Sequence, residues 1–136
     1  MAEFDYETDI DVRFRDIDWM GHVNNAVFTT YLEQARVDYI EDVVGEPLME
    51  TGIVIADLHV DFRRPIEYGE SVTVRVRAGE LGTSSIPLDN EVRADGEVAA
   101  TAEALLVTYD PEAGESRPMP DTWRERIRAH EGRDGG

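Results

Sequence analysis

Two aspartates, a histidine and two asparagines crowd into one stretch, "RDIDWMGHVNNAVF", which runs from Arg15 to Phe28. Asp16 and Asp18 stand just before a segment with helical spacing, whose first free amides come from about Asn24 to Val27. A helix N-terminus presents unpaired N–H groups and a partial positive charge, so it can receive an anion or a developing oxyanion. A carboxylate held beside it could act as nucleophile or general base on a carbonyl whose oxygen those amides polarise. Gly21 would let backbone approach a ligand closely. His22 could orient a group, relay a proton or touch a substrate. The same residue types also cap helices and shape turns. Spacing alone therefore leaves two readings open, a capping connector or a catalytic one.

The elements on either side must hold this stretch. Residues 8–14, "TDIDVRF", alternate with Ile10, Val12 and Phe14 on one face, which predicts a half-buried strand. From Asn25 to Val44 the apolar residues Val27, Phe28, Tyr31, Leu32, Ala35, Tyr39, Ile40 and Val43 recur every three or four positions. That spacing predicts an amphipathic helix, with Asn24 or Asn25 as its N-cap and Gly45 as its stop. Beyond it the period becomes two. Ala56, Leu58, Val60 and Phe62 alternate with Asp57, His59 and Asp61, and Val72, Val74, Val76 and Ala78 alternate with polar neighbours. Two further strands are predicted on either side of a turn at Asp95-Gly96. Pro87 suggests an edge position or a bulge in the first of them. A Pro-rich segment follows, then a short helix from about Thr122 capped by Asp121, and a loose tail. The whole chain, 1–136, reads as one α+β domain with a core over 8–109 and an extension over 110–136. A single long helix cannot cover both faces of such a sheet, so a second copy is expected to complete it.

Composition narrows the function classes. The 136 residues carry 30 acidic and 13 basic side chains, for a net charge of −17, and every basic residue is arginine. Such a field repels nucleic acid and anionic membrane surfaces, so neither partner is expected. It suits a surface solvated in molar salt, where the Debye length falls to about 3 Å. The absence of cysteine excludes disulfides and thiolate chemistry. The first residues, "MAEFDYETD", have neither the basic nor the apolar region of a secretory leader, which makes the cytoplasm the expected location.

Beside these readings, "DIDWMGHVNNAVFTTYLEQAR" resembles the pattern D-x-D-x-x-G-H-V-N-N-x-x-Y-x-x-Y-x-E-x-x-R of the 4-hydroxybenzoyl-CoA thioesterase-like branch of the hotdog superfamily. The match runs from Asp16 to Arg36, with Phe28 where tyrosine is commoner. "LHVDFRRPIEYGESVTV" and "ELGTSS" resemble the segments that follow in that family, so the likeness spans about residues 8–109. It implies a hotdog fold: a long central helix wrapped by a curved antiparallel sheet of about five strands. It also implies hydrolysis of acyl-CoA thioesters at a dimer interface, in a homodimer or a tetramer built from two dimers. By the same resemblance Asp18 is the catalytic carboxylate, the Asn25 amide polarises the thioester carbonyl, and Asp16 holds the connector. His22 matches a histidine that is catalytic in related acyl-carrier-protein thioesterases, although Met20 replaces the asparagine used there. Residues 82–85 match a strand start that neighbours bound CoA in relatives. Thr83, Ser84 and Ser85 thus join Asn24, Phe28 and His59 as the expected substrate-binding set, His59 having a solvated strand face as its simpler reading. Glu33 and Arg36 match the E-x-x-R of the family pattern; at i and i+3 they could pair on the helix, a structural role for both. Arg63 and Arg64 either serve the CoA phosphates or blunt a strand end. No metal and no cofactor beyond the CoA of the substrate is expected. The alternative function is a non-catalytic hotdog that binds acyl-CoA or an acyl carrier; a hotdog hydratase ranks third.

Overall fold

The computed structural model describes residues 4, 6–46 and 52–132. Strand β1 (Tyr6–Ile10) leads through a short 3-10 turn (Phe14–Asp16) to helix α1 (Asn25–Tyr39), whose last turn widens over Ile40–Val44. Strands β2 (Ile53–Phe62), β3 (Val72–Ala78), β4 (Ser85–Ala94), β5 (Glu97–Asp110) and the two-residue β6 (Glu115–Ser116) follow, and then helix α2 (Asp121–Glu131). The sheet is antiparallel in the order β1-β3-β4-β5-β2, with β6 pairing the end of β5. This is the wrapped long helix and five-strand sheet that the sequence leads one to expect.

Helix α1 forms where the apolar spacing places it. Asn24 is the N-cap: its Oδ1 accepts from the Ala26 N–H at 2.8 Å. At the other end Gly45, at φ 84°, adopts the left-handed conformation that closes the helix, and its N–H reaches the Ile40 carbonyl at 3.1 Å. Phe28, Leu32, Ala35, Tyr39, Ile40 and Val44 are buried, and they share one core with Val72, Val74, Val76, Ile86, Leu88 and Val92 of the sheet. Each such aliphatic or aromatic side chain contributes about 1.5–3 kcal/mol by leaving water. The Asp95-Gly96 turn is present, with φ 48° and 82° at its two residues. Helix α2 staples the far end: Arg126 donates to the Val44 carbonyl and the Trp123 indole to Glu46.

Three local expectations change. The first strand stops at Ile10, because β3 begins at Val72 and offers nothing beyond it to pair with. Phe14 instead sits 78% exposed on the 3-10 turn, which Asp16 closes by accepting from the Arg13 N–H at 2.9 Å. Pro87 lies neither on an edge strand nor at a bulge, since β4 is central. Its carbonyl accepts from Gly79 just past the end of β3, so the missing proline N–H faces a place where the neighbouring strand has already stopped. Helix α2 starts at Asp121 itself, with Pro120 at the cap position and no side-chain cap. Asp121 lies in the first turn, where its charge complements the helix dipole. The expected tail after Gly132 lies outside the described residues.

Candidate active site

The connector between the 3-10 turn and α1 is a tight, hairpin-like loop. Ile17 bridges to Val23, Asp18 N–H donates to the His22 carbonyl at 2.7 Å, and Gly21 N–H donates to the Asp18 carbonyl at 3.1 Å. The loop turns at Gly21, whose φ of 83° is open to glycine and strained for other residues. Its far side is anchored to the segment after β2: Val23 N–H donates to the Ile66 carbonyl at 2.7 Å, and His22 bridges to Glu67. The Glu67 N–H in turn donates to Glu70, which forms a two-point ion pair with Arg64. That pair holds the Glu70 carboxyl below the usual carboxylate range.

Within this frame the two aspartates differ. Asp16 ties the connector to the helix: its Oδ2 accepts from the Tyr31 hydroxyl at 2.7 Å and from Arg13 N–H, its Oδ1 has no hydrogen-bond partner among the described residues, and its carbonyl accepts from Asn24 N–H at 3.0 Å. Burial, and then the Asp16 carboxylate, push the Tyr31 phenol well above its usual range, so it stays a donor. Asp18 is half-buried, and only its Oδ1 is engaged, by the N–H groups of Met20 at 2.9 Å and His22 at 3.2 Å. Its Oδ2 has no hydrogen-bond partner among the described residues, nor has the N–H of Asn25 at the start of α1. A fixed carboxylate with one free oxygen thus stands in the same loop as a helix start with a free amide. The His22 ring is half-buried and likewise has no hydrogen bond among the described residues.

The other expected residues are spread more widely. Asn24 joins Asp18, His22 and Asn25 in the connector, where its side-chain oxygen serves as the cap. Phe28 is 1% exposed and packs edge-to-face on Phe62, with ring centroids 5.1 Å apart, so in this chain it is core. His59 is exposed on β2 and lies 3.3 Å from Asp61. Thr83, Ser84 and Ser85 form the turn into β4, and no hydrogen bond or ring contact joins them or His59 to the connector among the described residues. Glu33 and Arg36 interact through their charges, without a hydrogen bond or close ion pair among the described residues. Arg64 is committed to Glu70 and the Ala94 carbonyl, whereas Arg63 is exposed and forms no ion pair among the described residues. Among the described residues no cluster of three histidine, aspartate or glutamate side chains is placed to hold a metal ion.

Sequence reasoning missed the C-terminal arginines. Arg124 donates to the carbonyls of Gly82 at 2.9 Å and Thr83 at 3.3 Å, which puts a guanidinium on the 82–85 turn. Arg117 lies over the Trp123 ring nearby, 5.7 Å from its centroid. The signal was the density of arginine after residue 116 in so acidic a chain.

The outer edge of β2 is unpaired among the described residues, and along this strand Val54, Ile55 and Phe62 are more than two-fifths exposed. Between β2 and α1 lies a cavity of about 310 Å³. A second, of about 390 Å³, opens beside Asp16 and Tyr31, and Asp18 lines neither. No helix of the described residues is long and apolar enough to cross a membrane.

Residues 12–127 match the thioesterase-like superfamily. A thioesterase from Thermus thermophilus, crystallised with coenzyme A and Zn, is 45% identical, with a TM-score of 0.90 over 98% of this chain and 99% of that one. The long-chain acyl-CoA thioesterase FadM of Escherichia coli (strain K12) is 26% identical over 126 residues, covering 89% of this chain and 96% of its own length. YsmA, an uncharacterized protein of Bacillus subtilis (strain 168), is 25% identical over 128 residues, which is 93% of this chain and 87% of that protein.

Proposed function

The chain belongs to the thioesterase-like superfamily, and we propose that within it this protein hydrolyses acyl-CoA: thioester and water give a carboxylic acid and free CoA thiol. The observation that carries the reading is the half-engaged Asp18, with Oδ1 fixed by two backbone amides and Oδ2 free, in the same loop as the unpaired Asn25 N–H. Its Oδ2 attacks the thioester carbonyl or takes a proton from the attacking water. The Asn25 N–H and the α1 dipole stabilise the oxyanion that forms, and its collapse expels the CoA thiolate, which takes up a proton. Where Asp18 is the nucleophile, water then hydrolyses the acyl-aspartyl anhydride to the acid and restores the carboxylate. His22, on the same loop, orients the substrate or the water. Asn24 and His59 shape the acyl side, and the buried Phe28 supports the helix start from the core. Thr83, Ser84 and Ser85, with Arg124 beside them and Arg63 at the end of β2, receive the CoA portion. CoA is substrate here, not cofactor, and no metal takes part.

The working unit in this reading is a homodimer, which a second pairing makes a tetramer. Support comes from the edge of β2 that is unpaired among the described residues, its exposed apolar side chains, and a candidate carboxylate that lines neither of the two cavities beside α1. The protein acts in the cytoplasm, and the net charge of −17 makes molar salt its working medium.

The test is a panel of short, medium, long and aromatic acyl-CoAs in molar KCl, read by a free-thiol reagent. Release of CoA thiol above the uncatalysed rate is expected. Tight acyl-CoA binding with no release would replace the enzyme by a non-catalytic acyl carrier.

A further inference from the structure

One charged side chain in the described structure has no use in the scheme above. Arg36 is 8% exposed, its guanidinium forms no hydrogen bond among the described residues, and its Nη1 is wholly buried. Burial lowers the Arg36 pKa from its usual range and the nearby Glu33 charge opposes that, but the buried Nη1 donor still lacks an acceptor, which something outside the folded chain is expected to supply. Arg36 forms part of the wall of the 310 Å³ cavity, together with Thr29, Glu33, Ile55, Asp57 and Leu58.

The position of that cavity on the helix is informative. Asn25, Thr29, Glu33 and Arg36 are spaced i, i+4, i+8 and i+11, which places them on one stripe of α1. The stripe starts at the free amide and reaches Arg36 about 16 Å further along the axis, at 1.5 Å per residue. The arginine stem leans back towards the N-terminus and shortens that span. The cavity wall begins at Thr29, one turn beyond Asn25, so an acyl group with its carbonyl oxygen on the Asn25 amide and its chain laid along the stripe would bring its far end to Arg36.

The chemistry of the wall then selects the end group. A plain hydrocarbon end would leave the buried Nη1 of Arg36 without an acceptor. A carboxylate end would meet Glu33 and Asp57, both exposed at the cavity. A hydroxyl satisfies both kinds of neighbour, since its oxygen accepts from the guanidinium while its proton goes to a carboxylate. Resting on the thioesterase reading, we propose that Arg36 makes this protein selective for medium-length acyl groups with a neutral hydroxyl at the far end.

The experiment compares octanoyl-CoA with its omega-hydroxy and omega-carboxy analogues, on the wild type and on Arg36→Met, which keeps the stem and removes the guanidinium. The wild type is expected to favour the hydroxyacyl group roughly ten- to a hundredfold in kcat/KM. In Arg36→Met the ratio of hydroxyacyl to plain acyl kcat/KM should fall towards one. Equal use of all three by the wild type would overturn the proposal, as would a preference for the carboxylate. So would loss of the oligomer in Arg36→Met beside an unselective wild type, which would assign the missing acceptor to a second copy of the chain. Calorimetric binding of free octanoic and omega-hydroxyoctanoic acids separates this proposal from the hydrolytic one. Selective, Arg36-dependent binding of the hydroxy acid without turnover of any thioester would uphold the site and refute the thioesterase.

Discussion

Strands β2 and β3 have the same period-two sequence pattern and opposite fates. In β3 the residues Val72, Val74, Val76 and Ala78 are at most 3% exposed, because β1 and β4 flank the strand and α1 packs across it. In β2 only one edge is paired among the described residues, to β5; Leu58 and Val60 are half-buried, while Val54, Ile55 and Phe62 stay open to solvent. Alternation shows that a strand has an apolar face and leaves open what will cover it. Within this chain the neighbours of β3 do so. Among the described residues nothing does it for β2, and the Arg36 cavity lies against this open face.

The same substitution in the two strands should therefore do different things. Val74→Asp places an unpaired charge in the closed core, at a cost on the order of 4–5 kcal/mol or more, comparable to the whole stability of a small domain. Circular dichroism and the thermal transition should show a chain that no longer folds cooperatively. Val54→Asp puts the same charge on the open strand, where surface changes cost about 0.5 kcal/mol. Light scattering should then find a folded monomer in place of an oligomer, with hydrolysis lost. If Val54→Asp stayed oligomeric, the β2 edge would not be where copies meet.

A smaller effect tests how the fold holds the connector. Glu70 fastens Arg64 and the Glu67 amide, next to the bridge that carries His22. Its carboxyl is lowered in the folded chain, chiefly by the Arg64 hydrogen bond. The stabilisation is therefore complete above the ordinary carboxylate range and is lost as pH falls through the lowered folded value. Glu70→Gln should cost about 1–2 kcal/mol at neutral pH. Its denaturant midpoint should also lose part of the acid dependence seen in the wild type. An unchanged pH profile would remove the Arg64–Glu70 pair as a support of the loop.

Much of this is legible in the residues. The apolar spacing of α1 and the alternation of β3 report burial directly, so both elements form where the pattern places them. Phe14 escapes its pattern because alternation continues past the point where β3 has residues left to pair. Pro87 escapes its pattern because a proline shows only that one N–H is missing, and the early end of β3 supplies the place for it. The connector residues can be gathered by proximity in sequence. The Arg124 contact and the unpaired Arg36 cannot, since one depends on α2 folding back on the 82–85 turn and the other on the depth of a helix face.

The most direct test of the central claim is Asp18→Asn, assayed by thiol release from the best acyl-CoA in molar KCl with the thermal transition recorded in parallel. Asparagine keeps the Oδ1 that accepts from Met20 and His22 and removes only the charge and basicity of the free oxygen. The transition should stay in place while kcat falls about a hundredfold or more. An Asp18→Asn variant that turns over at the wild-type rate would contradict the account.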